Sequence, residues 1–95
     1  MIVFRADAEA DINTVWDWYE KRQPGLGCVF RDRLDKVVER IASFPLLYAV
    51  ACDDIRIAPI KRFPFAVYYR VISDKVIVTA VLHHSRDPRI WQSRF

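Results

Sequence analysis

Cysteine is scarce in this sequence: Cys28 and Cys52 are the only two, and they form neither a Cys-x-x-Cys pair nor a metal-ligand spacing. Two thiols are too few for a disulfide scaffold, so reduced thiols in a cytoplasmic setting are the natural reading. No apolar run approaches the roughly 18 residues that a membrane span requires. The opening Met1-Ile2-Val3-Phe4-Arg5 has no basic segment ahead of an apolar one, so no signal peptide is expected. Internal repeats, low-complexity tracts and linkers are absent as well. Glycine occurs twice, both times within Pro24-Gly25-Leu26-Gly27, which concentrates the strongest chain-breaking signal at one point.

What is present is apolar and aromatic. With 53% hydrophobic residues and 14% aromatic, the chain can build a packed core and is not disordered. Its 95 residues make one domain, 1–95, which at this size buries only about 60–65% of its unfolded surface. The net charge of +3 is unevenly placed. Residues 1–53 hold seven Lys or Arg against nine Asp or Glu, whereas residues 54–95 hold eight against three. Such asymmetry fits an anionic partner for the C-terminal half, whether nucleic acid, phosphate or an acidic protein segment, and equally a solvated face of a basic protein.

The patterning predicts an α+β domain. Ile2 to Arg5 reads as a short strand. Asp7 is placed to cap a helix over about 8–22, with Glu9 and Asp11 in its first turn. Ile12, Val15, Trp16 and Tyr19 recur at i, i+3, i+4 and i+7 and form its apolar stripe; Trp18 falls off that stripe, a candidate partner contact. After the Pro-Gly break a second helix is predicted over about 28–43, with Phe30, Leu34, Val37, Ile41 and Phe44 on one face. Its other face, from Arg31 to Arg40, mixes charge signs and reads as solvated. Residues 46–53 read as a loop and 54–60 as an extended run whose Pro59 belongs at a sheet edge or bulge. Two runs rich in β-branched and aromatic residues, 65–72 and 75–83, meet at Ser73-Asp74 as a hairpin. The expected architecture is a helical hairpin on a curved antiparallel sheet of three to four strands, with a short C-terminal helix or turn. The hairpin strands are apolar on both faces, which leaves one face for a partner to cover.

The second hairpin strand runs into His83-His84-Ser85-Arg86-Asp87-Pro88-Arg89. Adjacent strand residues point to opposite faces, so at most one histidine is expected in any site. They cannot converge on one ion and no third ligand is evident, so no metal is expected, and no cofactor either.

Taken in order, several segments carry a family resemblance. They are Trp18-Tyr19-Glu20, Pro24-Gly25-Leu26-Gly27 with Phe30, Pro45, Arg56, Arg62-Phe63-Pro64-Phe65 with Tyr68-Tyr69-Arg70-Val71, His83, Arg86-Asp87-Pro88 and Trp91. The chain resembles the RelE/ParE superfamily of bacterial toxins, and within it the ParE-like, plasmid-stabilisation branch. The resemblance implies a cytoplasmic toxin neutralised by an antitoxin whose acidic, flexible segment wraps it. Trp18, Arg56, Arg62, Arg70, Arg86 and Trp91 are the candidate antitoxin or target contacts.

The superfamily divides by activity. RelE-like members cut messenger RNA on the ribosome, and ParE-like members are associated with poisoning DNA gyrase. Cleavage through the 2′-hydroxyl needs a base, cations on the phosphate and an acid for the leaving oxygen. Lys61, Arg62, His83 and Arg86 are the candidates here. Ala66 stands where the resemblance implies a central-strand arginine, and Trp91-Gln92 where it implies a tail tyrosine. The expected reading is therefore a ParE-like, protein-binding gyrase inhibitor, with enzyme activity left open and, if present, that of an endoribonuclease. The alternatives are a ribosome-dependent endoribonuclease and a degenerate member that only binds antitoxin.

Overall fold

A computed structural model describes residues 1–94. In chain order it contains β1 (Ile2–Phe4), α1 (Ala6–Arg22), α2 (Leu26–Ser43), β2 (Val50–Cys52), β3 (Ile55–Pro59), β4 (Phe65–Ile72), β5 (Lys75–His83) and α3 (Pro88–Gln92). The sheet has five strands in the order β1-β5-β4-β3-β2, with β1 parallel to β5 and every other pair antiparallel. The expected sheet of three to four strands gains one because β2 lies inside the stretch read as a loop. Its three residues are too few to show a periodicity. Pro59 ends β3 beyond the reach of β2, which pairs only with Ile55 and Arg56, so its missing N–H breaks no ladder bond.

The helical hairpin covers one face of the sheet. Ile12 and Val15 of α1 and Phe30, Leu34, Val37 and Ile41 of α2 pack with Val67, Tyr69, Val76, Val78 and Val81. At one end of this core Tyr19 stacks on Phe30 at 5.8 Å, and Phe63 meets both rings edge-on at 5.0 and 5.4 Å. The turn between the helices is fixed by α1 itself. Glu20 accepts the backbone N–H groups of Gly25 (2.9 Å) and Gly27 (3.0 Å), so a side chain of one helix caps the other. Gly25 has φ of 90°, and a Cβ on Gly27 would lie 2.8 Å from Trp16, so each glycine has its own reason.

Two local expectations give way. Asp7 does not cap α1: the helix begins at Ala6 behind an extended Arg5, whose N–H is held by the Val78 carbonyl at 2.9 Å. Asp7 and Glu9 lie in the first turn, where acids favour the helix dipole, and Asp11 lies one turn further on. The second departure is in β5. Its register against β4 slips between Tyr68↔Ala80 and Tyr69↔Val78, leaving Thr79 as the extra residue of a bulge. Alternation therefore reverses there. Val76, Val78 and Val81 face the helices, while Ala80 and Leu82 join Ala66, Tyr68, Ile55 and Trp91 on the opposite face. That face, expected to await a partner, is covered at its centre by α3: Trp91 is 6% exposed and its ring lies 5.0 Å from that of Tyr68.

Candidate partner-binding groove

β1 is shorter than the strand it pairs with. It spans only Val76 to Val78 of β5, so the outer edge of β5 beyond the bulge faces α1 instead of a strand. Asp11 takes over part of the missing ladder, accepting the Val81 N–H at 3.0 Å and an Arg94 guanidinium N–H at 2.6 Å. Arg94 also donates to the Thr79 carbonyl at 3.3 Å. Above this clamp the helix and strand edge stand apart, leaving an open groove of about 480 Å³. Val15, Trp18 and Tyr19 form its α1 wall, Pro64 and Phe65 close one end, and Val81, Leu82, His83 and Arg86 form the strand side.

Trp18 is the most available aromatic of this wall, 50% exposed, edge-on to Tyr19 at 5.0 Å with the Arg22 guanidinium 4.1 Å from its ring centroid. The off-stripe position read from the sequence thus becomes a groove-lining position. Arg86 is exposed on the opposite side, and no ion pair to it occurs among the described residues. The two histidines correct the sequence reading. Their ring centroids are 4.7 Å apart, because β5 ends at His83 and His84 already belongs to the turn, where strand alternation no longer applies. His83 Nδ1 accepts the Ser85 N–H at 3.1 Å, which leaves Nε2 to carry the proton of the neutral ring.

The other candidate residues are dispersed. Arg56 is partly buried, and its guanidinium donates to the carbonyls of Tyr48 and Leu46, fixing the chain entering β2. Arg70 grips the Asp54 carboxylate at 2.9–3.1 Å, and these bonds hold the Asp54 carboxyl below the usual carboxylate range. Arg62 is exposed in the tight β3–β4 turn with φ of 73°. Lys61, next to it, lines a separate cleft against α2. Trp91 packs in the core as described. Lys61 on one side and His83 with Arg86 on the other therefore serve different depressions of the surface. Ala66 and Tyr68 lie 2% exposed within the apolar cluster under α3, and burial pushes the Tyr68 phenol up from its ordinary value. Sequence reasoning missed Asp11 and Arg94, whose only signal is opposite charge at great sequence separation, and Glu20, whose carboxylate precedes the Pro-Gly turn.

The fold and this geometry can be set beside known proteins. A protein-family model described as "ParE toxin of type II toxin-antitoxin system, parDE" matches residues 2–88. The chain belongs to the ParE toxin family. No curated protein matches. Among solved structures, the "Chromosomal ParDE TA system from P. aeruginosa" contains a similar chain, with a TM-score of 0.67 at 16% identity over 86% of this chain and 92% of that one. At that identity the likeness bears on the fold. The α+β expectation and the toxin-family reading both hold for this ParE-family chain. Among its described residues no helix is long and apolar enough to cross a membrane.

Proposed function

We propose that this chain is a cytoplasmic toxin that acts by binding, with DNA gyrase as its target, and that an acidic flexible segment of a cognate antitoxin neutralises it. One observation carries the choice of binding over RNA cleavage. Around Ala66 the sheet face is an apolar layer of Ala66, Tyr68, Ala80 and Leu82 closed by Trp91, and the cation further along the same face of β4, Arg70, is engaged by Asp54. A phosphoryl-transfer site needs preorganised positive charge at the scissile phosphate, and each missing contact of that kind costs about 10²–10³ in rate. The exposed groove between α1 and β5 offers what binding needs. Trp18 supplies a half-exposed aromatic anchor, and Arg22 and Arg86 place charge around it for an acidic segment.

The ribonuclease reading draws support from His83 and His84, whose rings lie side by side at the end of β5 near Arg86. Controlled expression in bacteria separates the two. The gyrase reading expects DNA synthesis to stop first, with a damage response and intact message. Immediate translation arrest with cleaved ribosome-bound message, abolished by His83→Ala, would replace it with the ribonuclease.

A further inference from the structure

The polar face of α2 is not uniformly solvated. Arg31 pairs with Asp35 at 3.1 Å and Lys36 with Asp32 at 3.5 Å, both at exposed positions where such pairs contribute little. Arg33, Lys36 and Arg40 fall at i, i+3 and i+7, so they share one stripe of the helix. That stripe faces Lys61 across a cleft of about 490 Å³, and none of the residues lining the cleft is acidic. Its apolar lining includes Val37, Leu47 and Pro59. The Arg33 Nε is buried and has no hydrogen-bond partner among the described residues. No ion pair to Arg33 occurs among the described residues, so an anion in the cleft would give its guanidinium a charged partner.

Beside this cleft runs a second unusual feature. Phe44, Leu46, Leu47 and Val50 are 63%, 65%, 52% and 46% exposed, a row of large apolar side chains at the exit of α2. Leu47 belongs to both the row and the cleft. Contiguous exposed apolar side chains next to a charged rim mark an interaction surface. Nucleic acid would satisfy the four cations but leave the apolar row in water. An amphipathic acidic polypeptide satisfies both.

We infer that the cleft between α2 and the β3–β4 turn, with the adjoining Phe44–Val50 row, docks an acidic amphipathic segment of the antitoxin. Its apolar side chains seat on Leu47 and the row, and its carboxylates meet Arg33, Lys36, Arg40 and Lys61. This surface is separate from the Trp18 groove. The inference rests on the proposed neutralisation by an antitoxin.

The test titrates the purified chain with a cognate antitoxin, over a range of salt, with unfolding curves as a folding control. Arg33→Gln with Arg40→Gln should weaken binding about tenfold or more and flatten its salt dependence. Leu47→Asp should weaken it to a similar degree, roughly tenfold. Lys61→Glu, at an exposed turn position, should do so chiefly by slowing association. Wild-type affinity in all of these variants would overturn the inference and leave the Trp18 groove as the docking site. A labelled DNA 12-mer whose binding is lost in these variants, while antitoxin binding is not, would overturn it in favour of nucleic acid. Failure of the unmodified chain to bind the antitoxin at all would refute the neutralisation reading, and this inference with it.

Discussion

Arg94 and Asp11, 83 positions apart, meet at 2.6 Å and close the gap that the β5 bulge opens in the sheet. The bulge leaves the Thr79 carbonyl and the Val81 N–H without a strand partner on the β1 side. Arg94 bonds the first and Asp11 the second. Both side chains are mostly buried, at 20% and 13% exposure, and the hydrogen bond to Asp11 raises the Arg94 pKa above its ordinary value. The pair also fixes the lower limit of the α1–β5 groove. Replacing Arg94 by Met should cost about 1–3 kcal/mol, because Asp11 keeps its charge and loses its partner. Urea unfolding should show a lower midpoint with an unchanged slope.

The Glu20 cap makes a second prediction. Glu20→Ala removes the acceptor of two N–H groups at the start of α2 and should cost about 1–2 kcal/mol. Gly27→Ala forces a methyl to 2.8 Å from the Trp16 ring and should cost about 1–3 kcal/mol. The same methyl would lie 2.9 Å from Glu20 Oε1, so the two losses should not add. A double-mutant cycle from thermal unfolding measures the difference.

These contacts show which parts of the molecule could be read in advance. The helical stripes, both hairpin strands and the Pro-Gly break follow from local periodicity, and each was legible. The bulge was not, because Val76 to Leu82 is an almost unbroken apolar run in which either face assignment is acceptable at every residue. The expectation that one sheet face lay open followed from that ambiguity. Trp91 covers that face, yet nothing in its neighbours in sequence says where a terminal helix will dock. The proximity of His83 and His84 turned on where a strand ends, to within one residue. The cation stripe of α2 was visible in sequence as a mixed-sign face; only tertiary structure brings Lys61 and Leu47 to it.

The Asp54–Arg70 pair should make stability fall in acid. The folded pKa of Asp54 is lowered, by the Arg70 hydrogen bonds first, so the pair stabilises the fold above the unfolded carboxylate range and loses that contribution as pH falls through the folded value. Asp87, held down by Arg89, behaves alike. Asp54→Asn should therefore lower Tm at neutral pH, and the gap to wild type should close in strong acid. A Tm-against-pH series on both proteins checks this.

Trp18 separates binding from folding. It is half exposed and touches chiefly Tyr19 and Arg22, so Trp18→Ser should change stability by less than about 1 kcal/mol. As an anchor of the α1–β5 groove it should carry antitoxin binding, weakened roughly 30-fold or more on substitution. Calorimetric titration beside thermal unfolding reads both numbers from one preparation.

The proposed function is that this ParE-family chain acts by binding gyrase and not by cutting RNA. Purified chain incubated with gyrase, supercoiled plasmid and ATP tests it most directly, with a parallel reaction on translating ribosomes. Gyrase poisoning predicts accumulation of linearised plasmid trapped with gyrase, suppressed by added antitoxin, and intact message on the ribosomes. Unaffected gyrase together with message cut on the ribosome would contradict it.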